Sequence, residues 1–129
     1  MRGKLDTGGQ MKQLEHIEQV NLMQWWALAC RGFGLHENTL FAIPNGGERN
    51  VIVASKLKAE GVRAGVPDLF LAWANRQYGG LFIEMKKTKG GRVSDAQQQY
   101  LELLEESGYK VAVCHGWLEA KASIEAYLK

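Results

Sequence analysis

The sequence predicts an α/β fold, a mixed four-stranded sheet flanked by helices. Three observations carry that reading. Two nearly continuous apolar runs, Val66-Pro67-Asp68-Leu69-Phe70-Leu71 and Leu81-Phe82-Ile83-Glu84-Met85-Lys86, read as central strands covered on both faces. Stretches of helical periodicity alternate with short strand-like runs along the whole chain. Glycines sit where helices should stop, at Gly32 and Gly34, at Gly61 and at Gly108. The resulting order, α-β-α-β-β-α-β-α, gives one domain with no internal linker.

Each element has its own signal. Residues 1–10 carry three glycines and no periodicity, and are expected to be a flexible lead-in to a single domain over 11–129. From Met11 to Arg31 the spacing is helical, with Leu14, Ile17, Leu22, Trp25, Leu28 and Ala29 assigned to one face. Thr39–Ile43 reads as a short strand ending at the turn Pro44-Asn45-Gly46-Gly47. Glu48–Glu60 reads as a second helix. A hairpin follows, Val66–Trp73 and Leu81–Lys86, around the turn-like Asn75–Gly80. Lys87–Val93 is a basic glycine-containing loop. Ser94 opens a third helix to Ser107, Tyr109–Cys114 is a fourth strand, and Trp117–Leu128 is a last helix.

Composition narrows the function classes. A chain of 129 residues with 46% apolar and 23% charged residues suits one ordinary globular core. The net charge of +2 does not announce a nucleic-acid binder. Local clusters say more: Lys56, Lys58 and Arg63 precede the hairpin, and Lys86, Lys87, Lys89 and Arg92 follow it. These suit phosphate contacts or a solvated surface equally. Cys30 and Cys114 lie in apolar contexts without metal spacing and read as buried thiols. No apolar run suits a membrane span and no signal peptide is evident, so a reducing, cytoplasmic location is expected. The three histidines are scattered, and no serine has the context of a nucleophile. The four tryptophans read as core or interface residues rather than base-stacking platforms, with Trp117 and the last helix as candidate interface.

The chemistry concentrates on the hairpin. If it is centred near Arg76, Asp68 falls opposite Glu84. Side chains alternate along a strand, so Glu84 and Lys86 share one face and Met85 takes the other. Two carboxylates and an ammonium amid apolar strands need a metal ion or an ion-pair network to balance them. That arrangement can hold a divalent cation beside a phosphodiester, although a surface salt bridge on a half-exposed hairpin fits the same residues.

Glu18 falls inside the apolar face assigned to the first helix. It either joins a metal site or escapes to the rim to pair with a lysine; Glu15 lies nearer the edge of that face. Gln97 begins the third helix, where Ser94-Asp95-Ala96-Gln97 also fits a capping box. The loop Pro44–Arg49, with Asn45, would admit a phosphate backbone but lacks the Gly-Lys-Ser/Thr of a P-loop.

These residues resemble the VRR-NUC group of the PD-(D/E)xK nuclease superfamily, nearest its small stand-alone phage and bacterial versions. The shared elements are Glu18-Gln19, Ile43-Pro44-Asn45-Gly46-Gly47, and Gly61 through Leu69 with Gly65-Val66-Pro67-Asp68. Phe82-Ile83-Glu84-Met85-Lys86, Ser94-Asp95-Ala96-Gln97 and Gly108-Tyr109 complete them. The resemblance spans Leu14 to Trp117, with Arg63-Ala64 as a minor departure.

The resemblance implies a restriction-endonuclease-like core and a metal-dependent endonuclease acting on branched or structured DNA, similar to homodimeric Holliday-junction resolvases. Asp68 and Glu84, with the Met85 carbonyl, would hold Mg²⁺ or Mn²⁺, and Glu18 would complete the site. Lys86 would orient or deprotonate the attacking water, and Gln97 would touch the lysine or the phosphate. Lys87, Lys89 and Arg92 would follow the DNA backbone, with Asn45 and Arg63 as further contacts. No membrane and no small-molecule cofactor are expected. A non-catalytic DNA-binding module and a nuclease for flaps or other DNA are the competing readings.

Overall fold

A computed structural model describes residues 7–44 and 51–129. The element order is the expected one. α1 (Thr7–Ala29) passes through a 3₁₀ turn (Cys30–Phe33) and a second one (Glu37–Thr39) into β1 (Leu40–Ala42). α2 (Val51–Ala59), β2 (Leu69–Leu71), β3 (Leu81–Lys86), α3 (Asp95–Glu106), β4 (Lys110–His115) and α4 (Trp117–Tyr127) follow. The sheet runs β1-β2-β3-β4, with antiparallel pairs β1/β2 and β2/β3 and a parallel pair β3/β4. The parallel pair requires a crossover, and α3 provides it.

The hairpin register pairs Leu69 with Ile83, Phe70 with Phe82 and Leu71 with Leu81. Continued by one residue, it sets Asp68 against Glu84. β2 is shorter than its apolar run because Pro67 has no N–H to give the ladder and Trp73 turns back to donate to the Leu71 carbonyl at 3.0 Å. β1 is in effect longer than its three residues. The Ile43 N–H donates to the Asp68 carbonyl and the Ala72 N–H to the Thr39 carbonyl, each at 2.8 Å.

Two features of α1 differ from the sequence reading. It starts at Thr7 rather than Met11, because adding a turn to an established helix is cheap even with Gly8 and Gly9 in it. Of the expected lead-in, residues 1–6 lie outside the described residues, as does the stretch 48–50 of the expected second helix.

The buried stripe of α1 is also rotated from the one assigned. Leu22 and Trp26 are fully buried and Cys30 continues them, whereas Leu14 and Ile17 are half exposed and Leu28 is 88% exposed. The segment Trp25-Trp26-Ala27-Leu28 is apolar all round, so periodicity alone admits more than one face.

The core lies between the sheet and the α1/α4 layer. Leu22, Trp26, Leu69, Leu71, Leu81, Ile83, Met85, Cys114, Ala120 and Ile124 are buried together. Trp26 satisfies its indole N–H on the Glu37 carbonyl at 2.9 Å. Cys30 and Cys114 are buried thiols, as expected. Among the described residues no helix is long and apolar enough to cross a membrane.

Candidate active site

Alternation along β3 separates two chemistries. Leu81, Ile83 and Met85 enter the core, and Glu84 and Lys86 emerge on the opposite face at the strand's end. Both charged residues are nonetheless buried, Glu84 to 3% and Lys86 to 6% exposure. Lys86 Nζ lies 3.7 Å from Glu84 Oε2. A buried pair of this kind survives only with further polar partners.

Gln97 is the first of those partners. Its Oε1 accepts from Lys86 Nζ at 3.1 Å and from the Ser94 N–H at 2.9 Å, while its Nε2 donates to Glu84 Oε2 at 3.2 Å. Two donors on one side and a carboxylate on the other fix the orientation of the amide. The Ser94 hydroxyl meanwhile accepts from the Gln97 N–H at 3.1 Å, completing a capping box. Capping and site contact are therefore one arrangement: the cap that starts α3 also aims Gln97 at Glu84 and Lys86.

Asp68 is the second partner. Its Oδ2 accepts from the Met85 N–H at 2.7 Å, standing in for the ladder bond that β2 no longer supplies. The segment ahead of it reaches this position through Gly65, whose φ is +84°. A Cβ on Gly65 would meet the Ala96 carbonyl oxygen at 2.7 Å, so only glycine lets the loop press on the first turn of α3. Pro67 is fully buried behind Asp68.

The arrangement is left electrostatically unbalanced. Glu84 Oε1 is buried without a hydrogen-bond partner. Burial, then the charge and the hydrogen-bonding carboxylate of Asp68, push the Glu84 carboxyl up to about 9; Lys86 opposes the shift and Glu15 adds to it. Without a cation, Glu84 keeps its proton at neutral pH.

A divalent cation fits this donor set. Glu84 has a buried oxygen without a partner and a second carboxylate, Asp68, beside it, and hard oxygen ligands suit Mg²⁺ or Mn²⁺. Among the described residues, no three His, Cys, Asp or Glu side chains form a ready-made metal cage. A cation here would rest on two carboxylates and complete its shell with waters, carbonyl or phosphate oxygens, which is normal for Mg²⁺.

The sequence profile of the VRR-NUC domain matches residues 13–117. The chain belongs to the VRR-NUC domain family. Its fold is similar to a solved structure described as a VRR_NUC domain protein, at 28% identity and a TM-score of 0.72, over 88% of this chain and 87% of that one. No curated protein matches the chain. The VRR-NUC domain is a nuclease-type domain, and the mixed four-stranded sheet between helices is consistent with a PD-(D/E)xK core.

Within this VRR-NUC domain, Asp68, Glu84, Lys86, Gln97 and the Met85 backbone come together, and Glu18 has another partner. Glu18 Oε1 accepts from the Trp117 N–H at 2.7 Å, capping the start of α4. It sits against Gly116, where a Cβ would meet Thr88 at 2.7 Å and Glu18 Oε1 at 3.2 Å.

Glu15 is the acid whose field reaches Glu84. It precedes Leu22 and Trp26 by seven and eleven residues, two and three helical turns, and so lies on the true buried stripe. Lys87 is half-buried; Lys89 and Arg92 are exposed on the loop after β3. Arg63 is exposed and donates to the Lys58 carbonyl at 3.2 Å. Asn45 lies outside the described residues.

Proposed function

We propose that the chain is a metal-dependent endonuclease that hydrolyses phosphodiester bonds in branched or structured DNA. The observation that carries this reading is the Glu84 carboxyl group: Oε1 is buried without a partner, Oε2 meets the Lys86 ammonium and the Gln97 amide, and the Asp68 carboxylate lies beside it. A divalent cation held by Asp68, Glu84 and the Met85 carbonyl supplies Lewis-acid charge and a water of lowered pKa.

The protein side of the chemistry follows from the geometry. Asp68 fixes the Met85 N–H. The carbonyl of a strand residue leaves the same edge as its N–H, so it points toward Asp68. Gln97 ties Lys86 and Glu84 together through its two amide atoms, which spares the site reorganisation as charge develops on the phosphate. Lys86 directs an ammonium at the attacking water and the developing oxyanion. Glu15 is the first-helix acid we assign to the site, acting on Glu84 from α1, with Glu18 bracing α1 against α4. Lys87, Lys89 and Arg92 line the exit from β3 and suit the sugar-phosphate backbone, with Arg63 and Asn45 as further contacts.

The family resemblance favours a Holliday-junction-like substrate cut by a homodimer, since one chain carries one such cluster and paired cuts require two. The test is cleavage of labelled four-way junction, flap, splayed arm, duplex and single-stranded DNA with Mg²⁺, Mn²⁺ or EDTA, beside Lys86→Ala. Symmetric metal-dependent nicks in the junction, absent in the variant, are expected. Cutting of flaps alone would shift the substrate. Tight binding with no cutting under any metal would instead support a non-catalytic binding module.

A further inference from the structure

At the other end of β3 from the carboxylates, the hairpin tip carries an unusual surface. Trp73 is 48% exposed although its frame is tightly held. Its N–H donates to the Leu71 carbonyl at 3.0 Å, and its carbonyl accepts from the Tyr127 hydroxyl at 2.7 Å. Asn75 fixes the next turn: its Oδ1 accepts from the Gln77 and Tyr78 N–H groups at 2.8 and 2.7 Å, and its Nδ2 donates to the Tyr127 carbonyl at 3.1 Å. The tip is thus stapled to the end of α4, which presents the indole from a rigid support. Sequence reading assigned Trp73 to core or interface; its exposure sets it apart from Trp26, which is the core residue.

Beside the indole is a cavity of ≈ 430 Å³ between residues 73–77 and 126–129. The charged side chains lining it are Arg76 and Lys129, both exposed, and no Asp or Glu lines it. An aromatic plane flanked by cations and amide groups is what a single-stranded polyanion with unpaired bases requires.

We propose that this cavity holds an unpaired nucleotide of single-stranded DNA, with the base stacked on Trp73 and its flanking phosphates on Arg76 and Lys129. Five residues of chain run from Asp68 to Trp73, at most roughly 17 Å at ~3.3 Å per residue. The site therefore grips a strand that runs on from the cut, and it rests on the nuclease reading for that role.

The test measures anisotropy of fluorescein-labelled dT₂₀ and of a matching abasic oligonucleotide in EDTA, for wild type, Trp73→Ala, Trp73→Phe and Arg76→Ala. Trp73→Ala is expected to weaken dT₂₀ binding roughly 5- to 150-fold, the range of one lost stacking contact, and to leave abasic binding unchanged. Trp73→Phe should restore most of the loss, and Arg76→Ala should lower the salt slope by about one.

Equal dT₂₀ binding by wild type and Trp73→Ala, or an equal loss on both oligonucleotides, would overturn the proposal. Cleavage in Mg²⁺ separates the two readings. Wild-type cutting with Trp73-independent binding sinks the cavity alone. Trp73-dependent binding without any wild-type cutting sinks the nuclease reading alone.

Discussion

Ile83 and Glu84 are neighbours on β3, both buried, and they face opposite worlds. Ile83, with Leu81 and Met85, meets the hydrocarbon of α1 and α4 and wants nothing more. Glu84, with Lys86, meets a second carboxylate, an amide and an orphaned lone pair. The contrast separates two uses of burial. On one face, burial stabilises the fold. On the other it costs stability and stores a demand for positive charge at the buried Glu84, which a cation can satisfy.

The largest difference should appear in catalysis. Lys86→Ala and Asp68→Asn are expected to lower cleavage per folded molecule by about 10²–10³-fold or more, on the scale of losing one preorganised electrostatic group. Ile83→Ala should leave that quantity within a few-fold of wild type. Single-turnover cleavage, normalised to the folded fraction by circular dichroism, decides it. Comparable losses from both faces would mean that the polar face is no more catalytic than the core.

Stability should reverse the ranking. Ile83→Ala removes fully buried methyl groups from a packed layer and is expected to cost about 2–5 kcal/mol in urea unfolding. Glu84→Gln keeps the volume and removes a penalised charge. At pH 8 in EDTA it should match or exceed the wild-type midpoint, while losing any stabilisation by Mg²⁺. A Glu84→Gln protein as unstable as Ile83→Ala would show that the polar face is structural.

The pH dependence sharpens the same point. Glu84 holds its proton up to about 9 when folded, against 4.5 as the ordinary value for the unfolded chain. Between those values the folded state binds the extra proton, so the slope of stability with pH is negative. The contribution is complete below about 4.5 and is lost as pH rises through about 9, at a rate on the order of 1 kcal/mol per pH unit. In EDTA, the melting temperature of wild type should fall from pH 6 to 9 more steeply than that of Glu84→Gln. Added Mg²⁺ should flatten the wild-type profile, because it displaces the proton that Glu84 keeps. Parallel profiles for the two proteins would remove the unbalanced charge from the account.

The hairpin half of this arrangement was legible in the sequence because strand geometry is rigid. A period of two and a turn centred near Arg76 suffice to oppose Asp68 and Glu84 and to put Lys86 beside them. The role of Gln97 was legible only as a choice between cap and site, since nothing local says that one amide can serve both. α1 was read less well. Its apolar residues surround the helix, so the moment that orients a surface helix is nearly absent, and its buried stripe is chosen by the sheet it packs on. Leu14 and Leu28 were misassigned for that reason, and the choice between Glu18 and Glu15 was left open by it. Trp73 was read only as core or interface, because half-exposure of an aromatic depends on how the tip is stapled to Tyr127, a contact 54 residues away in sequence.

The smallest expected effect tests the choice between Glu18 and Glu15 directly. Glu18 caps α4 through the Trp117 N–H, so Glu18→Ala should cost about 0.5–2 kcal/mol, the usual value of a lost helix cap, and leave cleavage per folded molecule nearly intact. Glu18→Gln retains an acceptor oxygen and should recover most of that stability, lacking only the interaction of a charge with the helix dipole. Glu15→Gln should do the opposite. It removes a negative field from Glu84, so it should shift the steep region of the stability profile to lower pH and raise the Mg²⁺ concentration needed for cleavage. The two acids are three residues apart on one helix, close enough that sequence alone cannot choose between them. If Glu18→Ala abolished cleavage at an unchanged melting temperature while Glu15→Gln had no effect on metal demand, the site role would return to Glu18, and its bond to Trp117 would be incidental to the chemistry.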